Sequence, residues 1–352
     1  MEGRMPPTPR SLEKDAEGQW VRRWSGADWF AAVDVWVRTE LAGAAIAVTG
    51  GPVPYKVRFW ATVWCYPTDH GLFWFKENNP GQAFEAALVG VMARELPQHV
   101  IAPLAVEPVR GWMLTADQGL TLDEQLAGAD VDPLPLWRRL VTEYAELQRD
   151  TIPAGPALLA SGLTAAEPEG LGETVHGIAD WFDALAADHP LAVGSLDDVR
   201  RAADNLSSWT AKLSGAIPLA LDQNDLHARN VFSASPSAPF RFFDFGDALW
   251  GHPFVTLSCV QSALVDPDDP GSWTEDDARL QEVKDAYLTQ WTDLAPLDLL
   301  RAELDVAQPL HVVHRLISWH RLLVHADETE AAAWSLSPHH WLAEVARLFA
   351  PT

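Results

Sequence analysis

The chain has 352 residues, 48% hydrophobic and 21% charged, the composition of an ordinary globular protein and enough length for two lobes around a cleft. A net charge of −24 argues against nucleic acid or an anionic membrane as partner, since both select for basic patches, and would suit long-range steering of a cationic small-molecule substrate. No apolar run approaches the roughly 20 residues of a membrane span, residues 1–15 are polar with no signal core, and Cys65 and Cys259 are the only cysteines, so a reducing cytoplasm is the expected compartment.

Taken in order, Ser25-Gly26-Ala27-Asp28 reads as a capping box. Trp29, Val33, Trp36, Val37 and Leu41 then recur at helical spacing to about Ala42. Three strands are expected at 45–49, 57–66 and 72–76, separated by turns at 50–54 and 67–71. Residues 84–93 predict a helix with Glu85 in its first turn. Residues 101–104 and 111–115 read as two further strands, the second running into Ala116-Asp117-Gln118-Gly119, where the chain should cross to a second lobe. Beyond it the pattern is helical: Leu136, Leu140, Tyr144 and Leu147 mark one helix, Ile178, Trp181 and Leu185 another, and 254–264, 278–291, 302–324 and 339–349 follow. The acidic stretches 266–269 and 275–277 read as a solvated loop and a helix first turn. The class is α+β and bilobal, with an antiparallel-sheet lobe over 1–116 and a mainly helical lobe over 117–352.

One segment carries more chemistry than the rest. Ile217-Pro218-Leu219-Ala220-Leu221 suits a buried strand, Val231-Phe232 a second, and Phe240-Arg241-Phe242-Phe243 a third after a Ser/Ala/Pro-rich turn at 233–239. This frame holds Asp225, Asn230 five positions on, and Asp244-Phe245-Gly246-Asp247. Any one of these side chains alone would more often cap a turn. Together they match phosphoryl transfer, in which one Asp takes the proton of the attacking hydroxyl while an Asn and a second Asp hold metal. Oxygen donors of this kind suit Mg²⁺. Such a site also needs a Lys on the third strand paired with a helix Glu, and Lys76 and Glu85 stand in that order.

Gln223-Asn224-Asp225-Leu226-His227-Ala228-Arg229-Asn230-Val231, followed by Phe243-Asp244-Phe245-Gly246-Asp247, resembles the aminoglycoside phosphotransferase family. The stretches Trp60-Ala61-Thr62-Val63, Phe73-Trp74-Phe75-Lys76 and Phe84-Glu85-Ala86-Ala87-Leu88 resemble its actinobacterial members. The family loop usually reads His-Gly-Asp-Leu-His-Pro-Gly-Asn. Here Gln223 stands at the first His, which normally supports the loop from within, and Ala228-Arg229 replaces Pro-Gly. The resemblance implies a protein-kinase-like fold, ATP or GTP as co-substrate with Mg²⁺, and transfer to a small-molecule hydroxyl. On it, Asp225 is the base, Asn230 and Asp244 the metal ligands, Lys76 the α/β-phosphate contact and Glu85 its orienting partner, while His227 and Asp247 support the loop or touch substrate.

No protein-kinase glycine-rich motif is present, so Gly50-Gly51 and the backbone over 56–62 are expected to cover the phosphates. The base should meet backbone groups of Met113, Leu114 and Thr115. The C-terminal helices should carry the acceptor site. Trp319, Trp334 and Trp341 are candidates there for stacking on a ring, and His311, His314, His320 and His325 read as core or cleft-lining groups rather than a zinc set. Asn224 occupies the place of the Arg that docks a phosphorylated loop in many protein kinases, and the 247–254 connection is short. Both exclude a peptide acceptor and point to activity without phosphorylation. The leading acceptor is an antibiotic, either an aminoglycoside or a sugar-containing nucleoside of the capuramycin kind. A metabolite kinase for an amino sugar or choline-like alcohol is the second reading, and a catalytically silent nucleotide-binding scaffold the third.

Overall fold

The structure is a computed structural model that describes residues 18–127, 132–233, 235, 238–265 and 272–351. The polar 1–15 stretch, the acidic 266–269 loop and three residues of the 233–239 turn lie outside the described residues.

The N-terminal lobe opens with α1 (Gln19–Trp24) and α2 (Ala27–Gly43), followed by β1 (Val53–Arg58), β2 (Ala61–Thr68), β3 (Gly71–Asn78), α3 (Phe84–Glu95), β4 (Ala105–Glu107) and β5 (Trp112–Ala116). These strands form one antiparallel sheet in the order β1-β2-β3-β5-β4. Alternation sends Val57, Phe75, Trp112 and Leu114 to one face, where they pack on Trp29, Val33, Val37 and Leu41 of α2. That side buries Glu77, which accepts from the indole N–H groups of Trp24 (3.1 Å), Trp29 (2.7 Å) and Trp112 (2.6 Å) and from Arg23 (3.0 Å). A buried carboxylate is tolerated when donors surround it.

Several sequence expectations change here. Residues 45–49 do not form a strand and contribute only a single bridge from Val48 to Thr68. Residues 57–66 divide into β1 and β2 around a turn at Phe59-Trp60, because Arg58 pairs with Ala61. Gly50 consequently lies by Pro67, at the far end of the hairpin from that turn, and Gly50-Gly51 does not cover the cleft. No side chain caps α2, whose N-cap residue is Gly26. The 101–104 strand is displaced to β4.

The second lobe contains α4 (Leu122–Leu126), α5 (Leu134–Ala160), β6 (Thr164–Ala166), α6 (Leu171–Asp183), α7 (Asp197–Thr210), β7 (Ala220–Asp222), β8 (Val231–Phe232), β9 (Arg241–Phe242) and β10 (Leu249–Gly251). Then come α8 (Leu257–Leu264), α9 (Ala278–Leu288), α10 (Leu297–Ala307), α11 (His311–Leu323), α12 (Glu328–Trp334) and α13 (Leu336–Leu348). The expected 302–324 helix is two helices, α10 and α11, joined by a 3₁₀ turn at Gln308–Leu310, since Pro309 offers no N–H to continue the ladder. Among the described residues no helix is long and apolar enough to cross a membrane.

The hairpin turn meets the C-terminal helices directly. Trp60 packs on Trp334 (centroids 4.6 Å) and Trp319 (6.4 Å), and Phe59 lies within 6.5 Å of both indoles. Trp319 and Trp334 are therefore engaged with the N-terminal lobe. At the other end α1 is strapped to the start of α12, where Gln19 and Arg22 bond Asp327 and the Trp20 indole donates to the His325 carbonyl.

Candidate active site

Three segments converge below the sheet. β3 delivers Lys76, whose Nζ lies 2.7 Å from Glu85 Oε2 on α3 and 2.7 Å from Asp244 Oδ1. Glu85 is 1% exposed and also takes Asn78 Nδ2 at 2.5 Å and the Phe245 backbone N–H at 2.9 Å. α3 is thereby fastened to the segment that presents Asp244. Asp244 itself sits at φ +62°, a left-handed conformation that Asp tolerates better than most side chains.

β7 enters the loop that carries Asp225. The turn is forced by Asn224 at φ +57°, whose amide donates to the carbonyls of Asp247 (3.3 Å) and His314 (3.2 Å). Below it, buried Asp222 holds His314 Nδ1 at 2.9 Å, so His314 is a loop support. Gln223, in the place of the usual His, donates to the carbonyls of Phe243 (2.5 Å) and Asp244 (3.3 Å), and its own N–H reaches Tyr144 Oη at 2.8 Å. The loop is thus supported from within by the Gln223 amide.

Asp225 Oδ2 accepts from Asn230 Nδ2 at 3.0 Å and faces His227 Nε2 at 3.3 Å. Arg315 of α11 lies 3.7 Å from Oδ1 and donates to the Asn224 carbonyl at 2.8 Å. Burial pushes the Asp225 pKa up, but His227, Arg315 and Asn230 outweigh it and hold the carboxyl at about 2. Burial likewise opposes ionisation of Asp244, and Lys76 with Lys56 reverses it to a lowered pKa. Both groups are carboxylates at neutral pH. With its nitrogen tied to Asp225, the Asn230 amide leaves its oxygen as a donor. That oxygen and the Asp244 carboxylate are the hard ligands a small divalent cation takes.

Asp247 is bound on all sides. It accepts from Gln82 (2.8 Å) and the Ser318 hydroxyl and pairs with Arg315 at 3.5 Å, bridging the start of α3 to α11. Met113 and Leu114 depart from expectation. They pair with both β3 and β4, so their backbone groups are consumed by the ladder and cannot meet a nucleobase. Leu114 is buried against α2. Thr115 and Ala116 pair with β3 alone, and because Asp117 N–H donates to the Leu72 carbonyl, alternation turns Thr115 toward β3 and leaves Ala116 as the first residue whose backbone groups face the open edge. Among the remaining histidines, His311 packs on Trp341 (5.7 Å) and His320 on Trp181 (5.1 Å). No group of three or more His, Cys, Asp or Glu among the described residues could hold a metal ion.

Sequence reading missed Arg315, Ser318, Gln82 and Lys56. The first two come from a helix some 90 residues downstream, and nothing local marks them. Lys56 stands on β1 with its Nζ 5.5 Å from the Trp60 ring centroid.

No protein-family model matches this sequence, and no curated protein does. Solved structures match along most of the chain. A macrolide 2′-phosphotransferase from Brachybacterium faecium is 15% identical with a TM-score of 0.52, covering 86% of this chain and 98% of that one. The GDP complex of wild-type aminoglycoside 2′-phosphotransferase-IIIa is 12% identical with a TM-score of 0.56, covering 90% and 98%. Choline kinase from Cryptosporidium parvum Iowa II is 11% identical with a TM-score of 0.54, covering 91% and 96%. The chain has the bilobal, protein-kinase-like fold that antibiotic phosphotransferases share with choline kinase.

Proposed function

We propose that the protein is a cytoplasmic O-phosphotransferase that moves the terminal phosphoryl group of ATP or GTP to a hydroxyl of a small molecule, with 1–116 as the nucleotide lobe and 117–352 as the catalytic and acceptor lobe. The observation that carries the reading is the convergence of Lys76–Glu85, Asp225–Asn230 and Asp244 from three separate segments. Lys76 would contact the α/β-phosphates, held in line by Glu85. Asn230 Oδ1 and the Asp244 carboxylate would hold Mg²⁺, which when bound offsets charge on the phosphates. Asp225 aligns the acceptor hydroxyl and receives its proton as the new O–P bond forms. Asp225 is ionised at neutral pH, so it can accept that proton. His227 and Arg315 keep that carboxylate ionised and oriented.

The acceptor is an antibiotic, and its modification would confer resistance. Beside Asp225, α11 and α13 supply Arg315, His311 and Trp341, with the guanidinium 5.9 Å from the Trp341 ring. Arg315 is neutralised there by Asp225 and Asp247, so its charge does not choose between acceptors, and the candidates are an aminoglycoside or a sugar-containing nucleoside antibiotic.

The test is a screen of sugar-nucleoside antibiotics, aminoglycosides, amino sugars and choline for ADP or GDP release with Mg²⁺, read by mass spectrometry for an added phosphate. Phosphorylation of an aminoglycoside or a sugar-nucleoside antibiotic is expected. Turnover of choline alone would replace the antibiotic reading with a metabolite kinase. Absence of nucleotide binding would leave only the fold.

A further inference from the structure

The sheet register aligns one row of side chains across the roof of the cleft. Lys56 on β1 pairs with Val63 on β2, Val63 with Lys76 on β3, and Lys76 with Met113 on β5. Residues directly opposite one another in an antiparallel sheet point to the same face. The neighbouring row, Val57, Thr62, Glu77 and Trp112, faces the other way, with Val57 and Trp112 buried in the α2 core. Lys56 therefore hangs into the cleft beside Lys76, about 10 Å away across two strand spacings.

The two lysines are held differently. Lys76 is hydrogen-bonded to two carboxylates. Lys56 has its ammonium over the Trp60 indole, and Trp60 is itself wedged on Trp334. Asp244, Asp225 and Asp247 act on the Lys56 charge through space, and burial together with Lys76 pushes its pKa down. A cation with a desolvated stem, an aromatic rest and no ion-paired carboxylate among the described residues is set up for an incoming anion. Its position distinguishes which one. Lys76 sits between Glu85 and Asp244, whereas Lys56 rests on Trp60 at the hairpin turn that packs on Trp319 and Trp334, on the side of the lobe that would hold the acceptor.

Resting on the phosphotransferase reading above, we infer that Lys56 is a second phosphate-binding lysine that contacts the terminal phosphate of the bound nucleoside triphosphate. It would neutralise charge on the equatorial oxygens of the transferring group, where phosphoryl transfer concentrates it.

The experiment is isothermal titration of wild type, Lys56→Met, Lys56→Arg and Lys76→Met with the β,γ-imido analogues of ATP and GTP, and with ADP and GDP, in Mg²⁺. A lost charge-assisted contact predicts that Lys56→Met weakens imidotriphosphate binding about ten-fold or more, changes diphosphate binding by less than about three-fold, and is largely rescued by Lys56→Arg. Lys76→Met should weaken both nucleotides. The ligand-free melting temperature of Lys56→Met should not fall, because the change removes a desolvated ammonium without an ion-paired partner. Equal affinities of Lys56→Met and wild type, or equal losses on both nucleotides, would overturn the assignment while leaving the phosphotransferase reading intact. Wild type that binds neither nucleotide would remove both.

Discussion

Lys76→Met is the perturbation whose size the geometry constrains best. Lys76 is 17% exposed and joins Glu85, which is 1% exposed, to Asp244, which is 36% exposed, through two contacts of 2.7 Å. Removing one partner of a fully buried pair costs about 3–5 kcal/mol, mostly from the charge left behind. Glu85 retains Asn78 and the Phe245 N–H, and the Asp244 side is screened by solvent, so about 2–3 kcal/mol is expected here. The folded pKa of Lys76 is raised: burial opposes the charge, and Asp244 and Glu85 more than restore it. Stabilisation from a raised lysine is complete below the unfolded value of about 10.4 and fades only as pH climbs through the folded one, so pH 7 reads it in full. Urea unfolding at constant m-value should show the loss. A cycle with Glu85→Gln should return a coupling of roughly 1–2 kcal/mol. Additivity within about 0.5 kcal/mol would mean that the pair is not energetically coupled, and the account of how α3 is fastened would fail.

Three other outcomes follow from the same contacts. Asp225→Asn keeps the shape of the loop but removes the proton acceptor, so turnover on the identified acceptor should fall about 10²–10⁴-fold with nucleotide affinity within about three-fold of wild type; near-normal turnover would remove Asp225 as the base. Glu77→Gln turns an amide N–H₂ toward indole donors held at 2.6–3.1 Å, which should cost about 3–5 kcal/mol by thermal unfolding, and a loss under about 1 kcal/mol would contradict its role as the polar centre of the sheet lobe. Burial depresses His311 and His320 to about 4, below the unfolded value of about 6.5. The unfolded chain then binds more protons between those values, and stability should drop by roughly 1–2 kcal/mol per histidine from pH 7 to pH 5. A flat profile over that window in denaturant unfolding would refute the depressed values.

The sequence by itself determined the parts of this protein written in local order. Asp225, Asn230 and Asp244 are legible because the loop and the β8–β9 hairpin that present them span few residues, and period-two runs mark the strands on either side. Lys76 and Glu85 are legible because strand and helix follow each other directly. The hairpin turn at Phe59-Trp60 escaped notice because no Gly, Asn or Pro punctuates it, and the extended 57–66 run hid the reversal. Met113 and Leu114 look like free backbone until β4 pairs with β5, which no local signal reports. Arg315, Ser318 and His314 lie roughly 70 to 90 residues from the groups they hold, so only the packing of α11 beneath the loop decides their roles. Lys56 joins Lys76 solely through sheet register, because a pairing slipped by one residue would send it to the opposite face. Local order wrote which groups can do chemistry, and tertiary structure decided what surrounds them, because charge and burial act across space rather than along the chain.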